Sequence, residues 1–175
     1  MSEDPTTTYI SASMTAAVGT ELSRQVSYPI AESDIRKWAI AVYYPEPPPR
    51  LFWDGDFAAA TSHGGLVAPE DFNPFAWMVA ERGGVQGPGS NDPQATEKTL
   101  GVEPPPVEFQ LNGGLTATYG ERMRPGDVIT SVSRLGGYRE RSGRLGLMLF
   151  TTTDTTWTNQ RGTMVRRTEG TVIRY

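Results

Sequence analysis

Few side chains in this sequence could carry acid–base or nucleophilic chemistry. It has one histidine, His63, and no cysteine, so imidazole chemistry is limited to one position and thiol chemistry is excluded. Gly64 and Gly65 follow His63, and their backbone amides could face a partly negative ligand atom at the start of a helix. Alternatively, the glycines only form a tight turn. His63 is therefore a candidate catalytic residue without an identified partner base.

A second candidate pair lies in EDFNPFAW, residues 70–77, where Asp71 and Asn73 could in principle make an acid/base pair. Both fall in the first turns of a predicted helix, where aspartate is favoured by the helix dipole and asparagine bonds locally to the backbone. We therefore expect structural roles for them. One histidine and scattered carboxylates show no metal-ligand spacing, and no Gly-x-Ser-x-Gly elbow is present, so we expect neither a metal site nor a serine nucleophile.

Aromatic and basic side chains provide candidates for binding. A wide ligand cavity could be lined by Trp53, Phe57, Phe72, Phe75 and Trp77, although such residues more often form the core. The phosphates of a nucleotide carrier could be held by Arg122, Arg124, Arg166 and Arg167, although arginines on strands are usually only solvated. From these sets we predict substrate contacts at Trp53, His63, Gly64, Gly65, Phe72 and Trp77, and phosphate contacts at Arg122 and Arg124.

Two helices are predicted in the N-terminal half. In residues 33–42, Ile35, Trp38, Ala39 and Val42 follow the i, i+3, i+4, i+7 spacing of one apolar face, and prolines in residues 43–50 prevent its continuation. A second helix is predicted from Pro69 to the Gly83–Gly84 stop. Because it is apolar around most of its circumference, we expect it to be buried.

The C-terminal half predicts an antiparallel sheet. Four long strand-like segments follow residue 106, separated by turns at residues 124–127, 141–144 and 159–162, and Gly136–Gly137 predicts a bulge. We expect an α+β domain over residues 16–175, in which a long antiparallel sheet wraps around the central helix. Residues 1–15 are predicted to be a disordered lead-in, and the Gly- and Pro-rich residues 85–106 a mobile insertion.

The overall composition narrows the class of partner. A formal net charge of -4 without a long basic run argues against nucleic acid as the partner. The N-terminus lacks the basic-then-apolar order of a secretory signal, and no stretch approaches the ~18 apolar residues of a membrane span. We therefore predict a cytoplasmic protein with no membrane partner and no cofactor.

Four stretches together resemble one known family. They are VGTELSRQVSYPIAESDIRKWAIAV (18–42), HGGLVAPEDF (63–72), RPGDVITSVSRL (124–135) and RLGLMLFTTTDTTWTNQRGTMVRR (144–167). In order and spacing they are similar to the hot dog fold of the MaoC-like dehydratases, in particular to the N-terminal-half type. The resemblance implies hydration of enoyl thioesters of coenzyme A or acyl carrier protein, or the reverse dehydration.

The resemblance also implies where the catalytic residues should be. Active halves of this family hold a water between the Asp and the His of an Asp-x-Asn-Pro-x-His motif that follows the first helix. The matching residues 41–57 contain neither a His nor an Asn-Pro pair. EDFNPFAW lies too late in the chain to be that motif, so Ala76 is not a lost histidine. The resemblance therefore implies a non-catalytic half that pairs with an active one.

The expected function is a pocket-forming subunit of a heteromeric enoyl-CoA hydratase, whose second hot dog subunit supplies the Asp and the His. Coenzyme A thioester is then the substrate, and a bulky steroid side-chain acyl group is the expected cargo, on the resemblance alone. Two alternatives stay open. One is a homodimeric hydratase or thioesterase with a nonstandard site, and the other is a silent acyl-CoA-binding module.

Overall fold

The computed structural model describes residues 8–78, 92–144 and 146–175, and these build a five-stranded antiparallel sheet with short helices. The sheet order is β1-β3-β4-β5-β2. In chain order the elements are α1 (Ala12–Ala16), β1 (Glu21–Val26), α2 (Glu32–Tyr43), a 3-10 turn (Arg50–Phe52), α3 (Gly55–Ala59), α4 (Ala95–Leu100), β2 (Gln110–Tyr119), β3 (Thr130–Gly143), β4 (Gly146–Thr158) and β5 (Met164–Arg174). The predicted α+β class with a long antiparallel sheet is confirmed.

Local signals in the sequence locate the turns and the bulge of the sheet. In the predicted turn at residues 124–127, the Asp127 N–H donates to the Arg124 carbonyl at 3.1 Å and Gly126 has φ +83°. The pairing of β3 with β4 shifts between Leu135 and Gly137, as the glycine pair predicts. A Cβ on Gly136 would lie 2.8 Å from the Thr152 hydroxyl oxygen, so the strands approach too closely there for a side chain.

The core forms where α2 meets the segment that follows the His63 turn. Ile35 and Ala39 of α2 are fully buried, and Trp38 contacts the Phe72 ring edge-on with centroids 5.6 Å apart. Phe75 contacts Trp157 of β4 in the same manner at 5.1 Å, which ties the segment to the sheet. The predicted apolar face of α2 is confirmed except at Val42, which is 55% exposed and lines an open cavity.

The described residues 69–78 do not form the α-helix that was predicted from Pro69 onward. They make consecutive tight turns, in which the Phe72 N–H donates to the Pro69 carbonyl at 3.0 Å and the Met78 N–H to the Phe75 carbonyl at 3.2 Å. The side chain of Asn73 accepts from the Phe75 N–H at 3.0 Å, and Pro74 has no N–H to offer a helix. These local bonds compete with α-helix formation. The rest of the predicted helix lies outside the described residues.

The described part of the predicted disordered lead-in, residues 8–15, contains the start of a helix. α1 begins there, with the Ser11 hydroxyl capping the Met14 N–H at 3.1 Å, and the Met14 side chain is 1% exposed. The Glu140 carboxylate on β3 accepts from the backbone N–H groups of Tyr9 and Ile10. A partner 130 residues away thus orders a segment whose own composition predicts none. Residues 1–7 lie outside the described residues.

The predicted mobile insertion, residues 85–106, contains a helix in its described part. Glu97 of α4 is fully buried and makes two hydrogen bonds with Arg174 of β5, at 2.7 Å and 2.9 Å. Gly101 ends α4 with φ +68°, a conformation that glycine adopts without strain. The ion pair joins residues far apart in the chain, so no periodic pattern in the sequence predicts the helix position, and the mobility of the segment stays a prediction. Residues 85–91 of this segment lie outside the described residues.

Asp127→Ala should lower the free energy of unfolding by about 1–3 kcal/mol, because it removes a buried carboxylate and leaves its partly buried hydrogen-bond donors without their acceptor. The 2%-exposed Asp127 accepts from the Arg124 N–H at 2.9 Å and from the side chains of Gln160 and Arg161, each at 3.2 Å. Urea unfolding measures the change. The exposed Asp56→Ala serves as control and should stay within about 0.5 kcal/mol of wild type. Equal effects of the two variants would contradict the assigned role.

Candidate functional site

The turn around His63 is held by backbone atoms. The Gly64 N–H donates to the Thr61 carbonyl at 3.0 Å, and Arg124 donates from Nη2 to the His63 carbonyl at 2.7 Å. Gly64 and Gly65 have φ +64° and +156°, so both positions favour glycine for conformational reasons. Within the described residues the imidazole makes no hydrogen bond to a carboxylate that could orient it. The geometry therefore supports a structural role for the turn.

The segment in the place of the family's catalytic motif follows α2. Tyr44 leaves the helix with φ −53° and ψ 135°, and prolines occupy positions 45 and 47–49. The chain then returns through Phe52, which is 5% exposed, to Trp53, whose indole N–H donates to the Pro48 carbonyl at 3.0 Å. The segment thus presents aromatic and proline surfaces and contains no histidine, and its Asp54 carboxylate accepts from the Phe57 N–H and from Arg50.

Two cavities flank this segment. The larger, which we call the Trp53 cavity, has a volume of about 350 Å³ and is lined by Glu32, Ser33, Arg36, Trp53 and Leu66. The smaller, the Asp71 cavity, has a volume of about 230 Å³ and is lined by Trp38, Val42, Tyr43, Phe52, Pro69, Glu70, Asp71 and Arg122. Both are open to solvent and both use α2 as one wall. The sequence prediction placed Trp53 in a ligand site, and the structure places it in the larger cavity.

Asp71 makes a contact across the fold. The Tyr119 hydroxyl at the end of β2 donates to the Asp71 carboxylate, and this hydrogen bond, with burial second, raises the pKa of Tyr119. Arg166 of β5 lies 3.8 Å from the same carboxylate and stacks over the Tyr119 ring at 5.6 Å. Asp71 thus has a structural role through a contact with a residue far away in the chain. Asn73 bonds to the local backbone, as predicted.

Several predicted binding residues lie elsewhere. Phe72 is fully buried in the core, so its ring packs against protein instead of lining either cavity. Trp77 is half-exposed and lines neither of the two cavities. Arg122 and Arg124 donate to the carbonyls of Ala68 and His63, at 3.2 Å and 2.7 Å, so the protein itself already binds these guanidinium groups. The phosphate contacts expected at Arg122 and Arg124 stay a prediction.

Sequence reasoning missed a buried polar cluster at the other end of the sheet. The Tyr138 hydroxyl donates to Glu97 at 2.7 Å, beside the bonds that Arg174 makes to the same carboxylate. Burial alone would raise the pKa of Glu97, but the hydrogen bonds from Arg174 and Tyr138 outweigh it and hold that pKa below its usual value. Burial, and then the bond to Glu97, raises the pKa of Tyr138. No local pattern links these residues.

Residues 8–78, 92–144 and 146–175 contain no group of three or more His, Asp or Glu side chains placed to hold a metal ion. Among the helices of the described chain, none has the length and apolar character needed to cross a bilayer. The predicted cytoplasmic location stays a prediction.

Comparison with solved structures identifies the fold. The chain superposes on a MaoC-like dehydratase from Rhodospirillum rubrum with a TM-score of 0.54 and 20% identity, covering 91% of this chain and 92% of the other. For the ChsH1-ChsH2 complex from Mycobacterium tuberculosis the TM-score is 0.61 at 18% identity, covering 94% and 88%. For the C-terminally truncated HadBC (3R-hydroxyacyl-ACP dehydratase) complex from the same organism it is 0.52 at 16%, covering 89% and 99%. These likenesses confirm the hot dog fold.

Comparison of the sequence itself identifies the family. No curated protein matches the chain. The family model described as "FAS1-like, dehydratase domain region" matches residues 16–168, from the end of α1 to the middle of β5. This range contains both cavities, the His63 turn and nearly the whole sheet. The chain therefore belongs to the family of FAS1-like dehydratase domain regions.

Proposed function

We propose that this chain is the non-catalytic, pocket-forming subunit of a heteromeric hydratase or dehydratase that acts on enoyl thioesters. A second hot dog subunit with the Asp-x-Asn-Pro-x-His motif supplies the acid and the base, and this chain supplies one wall of the acyl site. The observation that carries the proposal is the outer edge of β2, a ten-residue strand without charged residues that lies at the edge of the sheet in the described chain.

β2 lies at one edge of the sheet, so one side of its backbone has no partner strand within the described chain. The ten residues Gln110–Tyr119 contain no charged residue and no proline, and Leu115 is 64% exposed. Proteins usually protect a free edge with charge, proline or shortness, and a long uncharged edge pairs with another chain. The opposite edge, β1, is six residues long and carries Glu21 and Arg24. β2 is therefore the edge we assign to the partner subunit.

The similar structures support a partner of the same fold. Two of the three described above are complexes, ChsH1-ChsH2 and HadBC. The third, from Rhodospirillum rubrum, is named a MaoC-like dehydratase. A strand of a second hot dog subunit, added to β2, would continue the sheet across the interface. This supports a heteromeric assembly more directly than a free acyl-binding module.

The pocket-forming role follows from the surfaces at the site. The Asp71 cavity is walled by Tyr43, Phe52 and Pro69, and Gly64 in the His63 turn is exposed. Rigid aromatic and glycine surfaces of this kind shape a site without supplying a proton. The bulky steroid side-chain acyl group stays our proposed cargo, because residues 41–57 lack the histidine and the Asn-Pro pair of the family's dyad and so leave its space to the acyl group.

Co-expression with a hot dog subunit that carries Asp-x-Asn-Pro-x-His tests the proposal. We expect a stable complex that hydrates an enoyl-CoA, measured as loss of the enoyl thioester absorbance, and no activity from this chain alone. Leu115→Lys should prevent assembly, seen by size-exclusion chromatography, and should leave the unfolding midpoint of the isolated chain unchanged. Ser23→Lys on β1 is the matched control and should assemble as wild type does.

Two results would replace the proposal with an alternative. If the isolated chain hydrates an enoyl-CoA and His63→Ala abolishes the activity, the chain is an enzyme in its own right. If no dyad-bearing subunit forms a complex and Leu115→Lys changes no oligomeric state, the chain is a silent acyl-CoA-binding module.

A further inference from the structure

We infer that the Trp53 cavity binds the adenine ring of a nucleotide, with Trp53 as the stacking surface and Glu32 as the acceptor for the exocyclic amino group. The ring could come from a coenzyme A thioester, in which case the inference rests on the proposed function, or from a free adenine nucleotide. The chemistry recognised is the same in both cases, and the experiment separates the two sources.

The size of the cavity suits one ring system. Its volume of about 350 Å³ lies at the lower end of the range of roughly 300–1,000 Å³ that is typical of small-molecule sites. A whole coenzyme A thioester would not fit within it, whereas a heterocyclic base would. The cavity lies outside the core cluster, between the first turns of α2 and the residues Trp53 and Leu66. It is therefore a place for one end of a larger ligand.

Trp53 provides a preorganised stacking surface. Its indole N–H donates to the Pro48 carbonyl at 3.0 Å and its backbone N–H donates to the Arg50 carbonyl at 3.2 Å. The side chain is nevertheless 40% exposed, so ring surface remains available to a ligand. Aromatic rings of this kind stack on nucleobases. Because the indole is already fixed, binding costs little further ordering.

The polar groups of the cavity match the edge of an adenine. Glu32, Ser33 and Arg36 are exposed on the first two turns of α2, and their side chains make no hydrogen bond or ion pair with any other described residue. Adenine presents an amino donor and ring-nitrogen acceptors side by side. The Glu32 carboxylate can accept from the amino group, while Arg36 and Ser33 can donate to the ring nitrogens. The three side chains thus provide both hydrogen-bond donors and hydrogen-bond acceptors for a ligand.

The charge of the cavity argues against a plain anion site. Arg36 is the positive group, but Glu32 lies one helical turn away and repels a phosphate that binds alone. A neutral ring with both donors and acceptors uses both side chains, whereas inorganic phosphate uses one and opposes the other. The sequence had suggested Arg122 and Arg124 for an anionic carrier, and those side chains are bound to backbone carbonyls. Arg36 is the arginine that remains available in the Trp53 cavity.

Calorimetric titration of the isolated chain with adenosine, inosine and inorganic phosphate tests the inference. Adenosine should bind with saturation, and inosine, which carries an oxygen in place of the amino group, should bind about tenfold more weakly. Inorganic phosphate should not bind. Trp53→Leu should weaken adenosine binding about tenfold. Glu32→Gln should remove or reverse the preference for adenosine, because an amide can donate to the inosine oxygen.

Arg36→Gln should also weaken adenosine binding, and Lys37→Gln, with the same charge change on the same helix, should not. The inference is overturned if adenosine shows no saturable binding, if Trp53→Leu binds as wild type does, or if adenosine and inosine bind equally. Phosphate binding equal to that of adenosine would also overturn it. The selectivity change in Glu32→Gln distinguishes recognition from simple loss of structure.

The source of the ring is decided in the assembled complex. If Trp53→Leu raises KM for an enoyl-CoA about tenfold and leaves KM for an enoyl N-acetylcysteamine thioester unchanged, coenzyme A supplies the ring. If KM is unchanged for both and AMP binds the isolated chain, a free nucleotide supplies it. Either result supports adenine recognition. An inactive complex would count against the proposed function, while the titrations of the isolated chain would still decide the inference.

Discussion

Glu97→Ala is expected to lower the free energy of unfolding by about 3–5 kcal/mol, because it leaves the buried Arg174 guanidinium without its counter-charge. Glu97 is fully buried and Arg174 is 2% exposed, and two hydrogen bonds join them at 2.7 Å and 2.9 Å. The Tyr138 hydroxyl loses its acceptor as well. Urea-induced unfolding followed by circular dichroism measures the change. The exposed Glu103→Ala is the matched control and should cost less than about 0.5 kcal/mol.

The double variant Glu97→Leu/Arg174→Met should recover most of that loss, because it removes both charges together. The effect should also depend on pH. The pKa of Glu97 is lowered in the folded chain, so its contribution is complete above the unfolded value of about 4.3 and is lost as the pH falls through the folded value. Wild type should therefore lose more stability on acidification than Glu97→Gln. A cost below about 1 kcal/mol for both Glu97→Ala and Glu97→Gln would contradict a buried ion pair.

Phe72→Ala is expected to cost about 3–5 kcal/mol of stability, since it opens a cavity in the core. Phe72 is fully buried and contacts the Trp38 ring edge-on, with centroids 5.6 Å apart. Urea unfolding measures the loss, and near-ultraviolet circular dichroism should report the changed surroundings of Trp38. Trp77→Ala, at a half-exposed position in the same segment, is the control and should cost less than about 1 kcal/mol.

Comparison of Phe72→Ala with Trp77→Ala also shows whether the Phe72 ring belongs to the core or lines a ligand cavity. If Phe72 lined a ligand cavity, its removal would weaken ligand binding and leave the chain nearly as stable as wild type. The opposite result, a large loss of stability, is what a ring packed in the core requires.

The strands and turns could be predicted because their signals are local. A strand alternates within about six residues, and the Arg124–Asp127 turn and the Gly136 bulge depend on neighbours in the chain. α2 was predicted for the same reason, since its apolar spacing and its proline stop lie within twenty residues. The sequence did not predict that Val42, near the end of α2, is exposed. Burial at the end of a helix depends on which other segments pack there.

The candidate site was predicted only in part. Trp53 lines a cavity as expected, whereas Phe72 went to the core and Arg122 and Arg124 bind carbonyls. An aromatic ring in a sequence carries the same apolar signal whether it packs in a core or lines a ligand site. The sequence around an arginine likewise does not predict which carbonyl its side chain will bind. The environment of these side chains depends on how segments far apart in the chain are placed in the fold.

By itself, the sequence determined the antiparallel sheet, its turns and bulge, and the helix α2, because each depends on residues close together in the chain. Only the tertiary structure decided that Glu97 meets Arg174, that Glu140 holds residues 9 and 10, and that Asp71 meets Tyr119. These contacts join residues 48 to 131 positions apart. Their formation depends on the folded arrangement of the sheet, which brings together polar groups that no local pattern pairs.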